Sequence, residues 1–473
     1  MNMTEKESDR FAVKSKKMMI LAIGTGGSTV TVDLINKSRK LLKMADSIYF
    51  LDTDANPRLT IPDRIDSSIK SKLTLIFRRS DRVEVADDER VPVTFIEYGG
   101  GRGTGRDFIR SEICATEFLI TGKFGESVLK DEQRIYEEDK SNIMKMWEDL
   151  YYHDIILLVH TLGGGTGGGS TPIIAREIKE RKQKPVVGTS IQNATVISLC
   201  FLASKIENPL YIANSIRNLM EISKYVDIVL LFSNTKLWEY TEKTRYMFAD
   251  ELEGFQNIMN FHICRVLDIL LSSEHDFNDF RNIITDPGVS NIMVPFISMK
   301  NERIPPLSLL DALKYPMASV CEGTLIKAVP LFIGDNPGMN PSFAHRSKHK
   351  YQEGFFDNTE SYKQWIIGNL RPQIRDISLE ELESIFDNDY NRLDTLILAT
   401  CAADLSENLG KNNSNIDSAI DFWQIKIAEG ARYWLPKLLN KDLNAENIKD
   451  ELLQWYAEYL RKFERKIEEF NRK

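Results

Sequence analysis

A glycine-rich segment at residues 161–170 carries the clearest chemistry in the sequence. It reads TLGGGTGGGS and joins an apolar run to a predicted helix. Glycines let a backbone approach a polyphosphate closely, and their free N–H groups, with the N-terminus of the next helix, attract anions. A plain surface loop explains the segment less well, because six glycines at a strand-to-helix connection are costly without a ligand. The candidate phosphate-binding residues are Gly163, Gly164, Gly165, Thr166, Gly167 and Gly168.

Two widespread nucleotide-binding loops fit the sequence poorly. A Walker loop requires GxxxxGK[ST], and the chain contains no such string. A dinucleotide fingerprint GxGxxG would begin at Gly24, but Thr29 stands where its last glycine is required. Asp52, at the end of the next predicted strand, does resemble the acidic ribose ligand of that fingerprint. A dinucleotide-dependent oxidoreductase is therefore an alternative, although it leaves the glycines at 161–170 unexplained.

The elements that must position these residues alternate between strands and helices. A strand at 18–24, a helix at 30–43 and a strand at 47–51 form a βαβ unit, which predicts a parallel sheet. The pattern recurs with a strand at 154–160 and a helix at 171–181, and further buried strands are predicted at 184–189 and 227–233. We expect a doubly wound α/β domain whose ligands lie at the carboxyl ends of its strands.

The second half of the chain begins with a long apolar helical pattern at residues 251–272. Beyond it the sequence predicts strands at 290–296, 326–334 and 393–401, helical pieces such as 378–386, and final helices at 416–434 and 444–471. The expected fold class is α/β, with a doubly wound parallel-sheet nucleotide domain, a long central helix, a smaller α+β domain and a helical C-terminal region. The expected divisions are a flexible leader at 1–17, then 18–250, 251–273, 274–410 and 411–473.

Composition excludes several classes of protein. The 473 residues are 42% hydrophobic and carry a formal net charge of −8, which argues against nucleic-acid binding over the whole surface. The five cysteines are scattered without a CxxC pair, so they predict buried thiols and neither a metal site nor a disulfide framework. No apolar stretch approaches the ~20 residues of a membrane-spanning helix. We expect a soluble cytoplasmic protein.

Several motifs in one order resemble the tubulin/FtsZ superfamily. The string GGGTGGG at residues 163–169 is similar to the GGGTG[ST]G signature of tubulins and FtsZ. Four other segments resemble the family's first phosphate loop, its NTDAQ loop, its γ-phosphate loop and its NDKL-type guanine loop: residues 24–28 (GTGGS), 52–56 (DTDAN), 99–106 (GGGRGTGR) and 234–237 (NTKL). The resemblance runs over residues 18–296, and several weak motifs in one order are more specific than any one of them.

The resemblance implies a GTP site, with a set of ligands beyond the glycine segment. These are Gly24, Thr25, Gly26, Gly27, Ser28, Asp54, Ala55, Gly103, Thr104, Gly105 and Asn234. Glu207 is the candidate ribose ligand, and Asn257 or Gln256 is the candidate second guanine contact. Phe255 is either the ring that stacks on guanine or a core residue.

A carboxylate pair follows the long helix. The string HDFNDFR at residues 275–281 contains the DFxD pattern that FtsZ carries in this place. The resemblance implies that Asp276 and Asp279 reach the γ-phosphate bound by the neighbouring subunit, where a carboxylate can orient and polarise the attacking water. Taken alone, the two aspartates would more often be solvated loop residues.

The C-terminal region departs from the pattern typical of FtsZ, which finishes in a disordered linker and an adaptor-binding peptide. The last predicted helix has an apolar stripe at three- to four-residue spacing: Ile448, Leu452, Trp455, Tyr459, Phe463, Ile467 and Phe470. Such a stripe most often packs on the chain's own body; otherwise it contacts a neighbouring subunit or partner. A helical C-terminal region is more similar to TubZ or to tubulin.

The sequence thus predicts an assembly-stimulated GTPase that forms head-to-tail homopolymer filaments, with GTP or GDP and Mg²⁺ between subunits. It would serve DNA segregation, cell division or cell shape, with an adaptor protein as a possible link to DNA or membrane. A GTP-binding switch that does not polymerise is the alternative from another class. The two carboxylates argue against that alternative, because they would have no purpose in it.

Overall fold

The chain alternates strands and helices from its first described residue onward. The computed structural model describes residues 17–76, 90–99, 103–123, 130–184, 186–248, 255–272, 288–299, 311–334, 383–386, 394–409, 414–433 and 444–472. Its strands are β1 Met18–Ile23, β2 Ala45–Asp52, β3 Leu73–Ile76, β4 Val91–Glu97, β5 Ile155–Thr161, β6 Thr195–Leu202, β7 Ile228–Ser233, β8 Ile292–Ile297, β9 Lys327–Gly334, β10 Glu383–Phe386 and β11 Asp394–Thr400.

Helices connect most of these strands. In chain order they are α1 Gly24–Lys37, α2 Arg39–Met44, α3 Asn56–Arg64, α4 Ser67–Lys70, α5 Phe108–Cys114, α6 Lys130–Asp149, α7 Thr171–Lys182, α8 Pro209–Ile222, α9 Asn234–Phe248, α10 Phe255–Ser272, α11 Ser406–Leu409, α12 Ser414–Tyr433 and α13 Ala445–Arg472. Among the described residues, none of these helices is both long and apolar enough to cross a membrane.

The strands form one mixed, mostly parallel sheet. Its order is β10-β9-β11-β8-β7-β6-β5-β1-β2-β4-β3. Every neighbouring pair from β3 to β8 is parallel, whereas β11 runs antiparallel to both β8 and β9. The predicted fold class, a doubly wound parallel sheet with a helical C-terminal region, is confirmed.

The sheet separates two apolar layers. Along β1, Met19, Leu21 and Ile23 face one layer, while Met18, Ile20 and Ala22 face the other. Helices α5 to α8 cover the first layer together with α12 and α13, and α1, α9 and α10 contribute to the second. Because both faces are covered, the central strands are near-continuous apolar runs.

Two predicted elements are wrong. Residues 184–189 are predicted as a buried strand, but residues 186–189 form a turn in which Val187 is fully exposed and Gly188 has φ +86°. The strand at this place in the sheet is β6, which is buried throughout between β5 and β7. Part of the predicted helical piece at 378–386 is strand β10, which pairs with β9.

The C-terminal helix packs on the chain's own body. The Tyr456 and Tyr459 hydroxyl groups accept hydrogen bonds from the main-chain nitrogens of Leu405 (3.0 Å) and Ala403 (2.9 Å). Most of the apolar stripe predicted for α13 is therefore an internal surface, with Ile448, Leu452, Tyr459 and Phe463 buried.

Candidate nucleotide-binding site

The sequence-predicted phosphate residues gather at one edge of the sheet. Strands β1, β2, β4 and β5 are parallel neighbours, so the segments that follow their carboxyl ends meet there. Those segments are residues 24–28, residues 53–55, residues 103–107 (the arginine loop) and residues 161–170 (the glycine loop).

The first phosphate segment and the glycine loop are in backbone contact. Gly24 turns the chain from β1 into α1 with φ +74°, and a Cβ placed on it would lie 2.8 Å from the Gly167 nitrogen. A Cβ on Gly167 would lie 3.1 Å from the Ile23 carbonyl oxygen, and one on Gly27 would collide with the Val159 carbonyl. A Cβ would overlap backbone atoms at Gly24 and Gly27 and would be tight at Gly167, so glycine is favoured by the close packing of the first phosphate segment on β5 and the glycine loop.

The glycine loop has a buried half and a half that reaches the surface. Its later residues form a π-helical turn, Thr166–Ser170, that leads directly into α7. Gly167 and Gly168 are buried, and a Cβ on Gly168 would collide with the Asn218 amide. Gly164 and Thr166 are only half-buried, so the loop meets solvent at its centre.

The arginine loop adopts left-handed backbone conformations at three positions: Gly103 (φ +65°), Gly105 (φ +57°) and Arg106 (φ +71°). The Gly103 nitrogen donates to the Thr53 carbonyl (3.0 Å), and Asp107 caps helix α5 by accepting from the Arg110 nitrogen (3.1 Å). Successive residues of this kind turn main-chain N–H groups toward one side and are suited to anions.

Thr166 joins three of these segments. Its hydroxyl oxygen lies 2.6 Å from that of Thr53 and 3.4 Å from that of Thr104, and its carbonyl accepts from the Ser111 hydroxyl (3.3 Å). The hydroxyl groups thus tie the end of β2, the arginine loop and the glycine loop together.

A buried carboxyl group lies behind the loops. Asp52 accepts hydrogen bonds from the Thr25 hydroxyl (3.0 Å) and from the Asp54 nitrogen (3.2 Å). Burial raises the pKa of Asp52 to about 6, because desolvation outweighs these hydrogen bonds. The family resemblance placed Asp52 only within the motif at residues 52–56. In the structure the Asp52 carboxylate accepts hydrogen bonds from two of the phosphate segments and so links them.

Two residues predicted to bind the nucleoside lie together. One Glu207 carboxylate oxygen accepts from the Ser204 nitrogen (2.7 Å) and from the Asn234 side-chain amide (3.4 Å). Asn234 is the first residue of helix α9, and the loop that the sequence predicted there is absent.

The other predicted nucleoside and catalytic residues are placed only in part. Gln256 and Asn257 are exposed in the first turn of α10, where the Asn257 carbonyl accepts from the Lys37 ammonium group (3.0 Å). Helix α10 begins at Phe255, whose side chain lies outside the described part of the protein. Asp276 and Asp279 also lie outside the described residues.

Helix α8 holds the glycine loop and the arginine loop in place, a role that was not predicted from the sequence. The Asn218 amide donates to the Leu162 carbonyl (2.7 Å) at the start of the glycine loop, and the Asn214 amide donates to the Arg106 carbonyl (3.3 Å). Both asparagines are fully buried. Two amides four residues apart, on the same side of an amphipathic helix, were the available signal, since buried amides need hydrogen-bond partners.

Residues 17–242, which contain all four of these segments, match the family model "Tubulin/FtsZ family, GTPase domain". This part of the chain belongs to the tubulin/FtsZ superfamily.

Relatives within the tubulin/FtsZ superfamily include archaeal proteins. The tubulin-like protein CetZ3 of Haloferax volcanii is 29% identical over 172 residues, which cover 33% of this chain and 40% of CetZ3. The match thus spans less than half the length of that curated relative.

Solved structures of the tubulin/FtsZ superfamily match a larger share of this chain than the curated relative does. The GDP-bound CetZ1 monomer from Haloferax volcanii has a TM-score of 0.55 at 17% identity, and the match covers 86% of this chain and 99% of CetZ1. The GTPγS-bound CetZ2 protofilament from the same organism has a TM-score of 0.54 at 15% identity, with the same coverage. At these identities the likeness supports the fold.

Proposed function

We propose that the protein binds and hydrolyses GTP and that it assembles head to tail into homopolymer filaments. One observation carries the nucleotide site: segments following β1, β2, β4 and β5 converge on Thr166, and Gly24, Gly165 and Gly168 leave no room for side chains. Such a backbone cradle followed by helix α7 suits a polyphosphate.

The phosphates would lie against the surface-reaching parts of the loops. Thr25 and Gly105 are exposed and Gly26, Gly164 and Thr166 are half-buried, so solvent reaches these residues at this edge. Donors fixed before the ligand arrives stabilise developing charge without reorganisation, which is how such a cradle would assist phosphoryl transfer.

Mg²⁺ would accompany the nucleotide and neutralise charge on its phosphate oxygens. The described residues contain no cluster of three His, Cys, Asp or Glu side chains that could hold a metal ion by itself. Mg²⁺ usually keeps several waters and takes its other ligands from one or two carboxylates and the substrate phosphates. Asp54 fits as the protein ligand, because its carboxylate lies beside Gly103 at the entrance to the arginine loop.

Glu207 and Asn234 would bind the nucleoside, with Glu207 on the ribose and Asn234 on the guanine edge. Their mutual hydrogen bond supports this pairing, because it holds an acceptor and a donor side by side at the ends of β6 and β7. Asn257 and Phe255 are proposed to complete the guanine pocket. Equal affinity for ATP and GTP in a competition assay would contradict the guanine assignment.

Hydrolysis is proposed to require a neighbouring subunit, which supplies Asp276 and Asp279 to the γ-phosphate. The relative CetZ2, described as a GTPγS-bound protofilament, is a precedent for assembly around the triphosphate. The cellular role would be DNA segregation, division or shape, through an adaptor protein.

Sedimentation combined with phosphate release tests the proposal. Wild-type protein should pellet with GTP and remain in the supernatant with GDP, and turnover per subunit should rise with protein concentration. GTP binding without pelleting, at a turnover independent of concentration, would instead identify a non-polymerising switch.

A further inference from the structure

Arg106 has an unusual environment for a surface arginine. It lies at φ +71°, a conformation that is uncommon for residues other than glycine. Its guanidinium carbon stacks 4.3 Å from the centroid of the Tyr211 ring. Among the described residues, no carboxylate forms an ion pair with Arg106. The N–H donors of its guanidinium group are therefore not paired with an acidic side chain in this part of the protein.

The main chain of Arg106 is held against the glycine loop. A Cβ on Gly165 would lie 2.8 Å from the Arg106 nitrogen and would collide with the Thr104 hydroxyl. The arginine therefore leaves the chain directly beside Gly165, whose neighbours Gly164 and Thr166 are the half-buried residues of the glycine loop.

A buried chain of hydrogen bonds fixes Arg106 from behind. The Asn214 amide donates to the Arg106 carbonyl (3.3 Å), and the Trp423 indole N–H donates to the Asn214 side-chain oxygen (2.9 Å). Asn214 and Trp423 are both fully buried. The Trp423 ring also packs edge-on against Phe108, with centroids 6.1 Å apart, so α12 contacts Phe108 directly and is linked to Arg106 through Asn214.

We propose that Arg106 is the cationic ligand of the terminal phosphate of the bound nucleoside triphosphate, and that Asn214 and Trp423 are its positioning residues. This rests on the proposed GTP site. An arginine is preorganised for bidentate contact with phosphate oxygens when its guanidinium group stacks on an aromatic ring and is not paired with a carboxylate. Helix α12 thereby influences how the site distinguishes triphosphate from diphosphate.

The first experiment compares affinities for GTPγS and GDP in Arg106→Asn, Arg106→Lys and Arg110→Gln. Asparagine tolerates positive φ, so Arg106→Asn removes the charge with little added strain. We expect it to weaken GTPγS binding about 10- to 100-fold, the range for one charged hydrogen-bonding group, and GDP binding much less. Arg106→Lys should recover part of the loss. Arg110→Gln removes an equal charge from an exposed position of α5 and should leave both affinities near wild type.

The second experiment tests positioning through the buried chain. Trp423→Phe keeps a ring against Phe108 but removes the indole N–H, and should lower the GTPγS-to-GDP affinity ratio about 3- to 10-fold. Trp455→Phe is the matched control, since it makes the same exchange at a tryptophan that stacks on Tyr459 within α13. In an Asn214→Ala background, Trp423→Phe should have no further effect on the ratio. Thermal unfolding of each variant verifies that it folds.

The outcomes separate the two proposals. Wild-type protein that binds neither GTPγS nor GDP overturns the proposed function. Wild-type binding with an unchanged affinity ratio in Arg106→Asn overturns only the assignment of Arg106. A loss in Trp423→Phe that adds fully to that of Asn214→Ala overturns positioning through Asn214 and identifies a general packing effect.

Discussion

The hydroxyl oxygens of Thr53 and Thr166 lie 2.6 Å apart, although 113 residues separate them in sequence. This hydrogen bond joins the end of β2 to the centre of the glycine loop. Thr166→Val keeps the shape of the side chain and removes the hydroxyl, so the Thr53 hydroxyl loses this partner. We expect the free energy of unfolding to fall by about 1–2 kcal/mol and GTP affinity to fall with it.

Thr166→Ser is the control for that change, because it retains the hydroxyl. Denaturant unfolding should place it near wild type, with Thr166→Val well below it. Equal stability of the two variants would mean that the Thr53–Thr166 contact does not hold the loops together.

Gly24 and Gly188 offer a matched pair for testing the phosphate segments. Both require left-handed backbone (φ +74° and +86°), but a Cβ on Gly24 would press on Gly167, whereas one on Gly188 meets nothing within 4 Å. Each alanine variant should lose about 1–2 kcal/mol of stability through backbone strain. Only Gly24→Ala should also lose nucleotide binding, measured by titration with a fluorescent GTP analogue. Normal binding by Gly24→Ala would place the phosphates elsewhere.

The glycine segments could be predicted from sequence because their requirement is local. A run such as GGGTGGG between a strand and a helix costs conformational entropy that only a ligand or a close backbone contact offsets. The structure shows such contacts with backbone at Gly24, Gly27 and Gly167. The match of residues 17–242 to the family model agrees with the family that this run indicated.

The wrong predictions concern elements whose structure depends on contacts with residues far away in the sequence. KPVVGT at residues 184–189 has the composition of a strand, but β6 takes the position between β5 and β7. A single helix predicted over 30–43 breaks at Ser38, whose hydroxyl donates to the Asp268 carboxylate of α10 and accepts from the Leu41 nitrogen (3.0 Å), which starts a second helix. Asn214 and Trp423, 209 residues apart, carry no sequence signal that they meet.

Asp52 should make stability depend on pH. Its pKa is raised from 3.8 to about 6 by burial, so the folded protein binds this proton more tightly than the unfolded chain does. The contribution of Asp52 is therefore most favourable below pH 4 and is lost as pH rises to about 6. The raised pKa corresponds to roughly 3 kcal/mol, as an order of magnitude.

Asp52→Asn removes this titration and keeps an oxygen that accepts from Thr25. The variant's free energy of unfolding, relative to wild type, should increase between pH 4 and pH 6 and then level off. Asp63→Asn, at an exposed position of α3, removes an equal charge and is the control. A constant difference between Asp52→Asn and wild type across this pH range would contradict the buried, titrating carboxyl.

The proposed catalytic carboxylates allow a test of mechanism and assembly together. If Asp276 acts on the nucleotide of a neighbour, its carboxylate would not line its own subunit's pocket, and Asp276→Ala should leave GTP affinity almost unchanged. Turnover should fall by ~10²–10⁴, the loss typical of a positioned acid or base. Filaments should still form and should persist longer, because the triphosphate that favours the contact is no longer consumed.

Mixing two defective proteins distinguishes catalysis in trans from catalysis within one subunit. Subunits carrying Asp276→Ala keep an intact nucleotide pocket, and subunits carrying a bulky residue at Gly167 keep both aspartates but should not bind GTP, because a side chain there meets the Thr161 and Ile23 carbonyls. Each protein alone should release little phosphate. Combined, they should regain part of the wild-type turnover, because a mixed contact pairs an occupied pocket with an intact carboxylate. Recovery should increase with total protein concentration. If Asp276→Ala instead loses GTP binding, and no mixture recovers activity, the carboxylates belong to the chain's own pocket and hydrolysis does not need a neighbour.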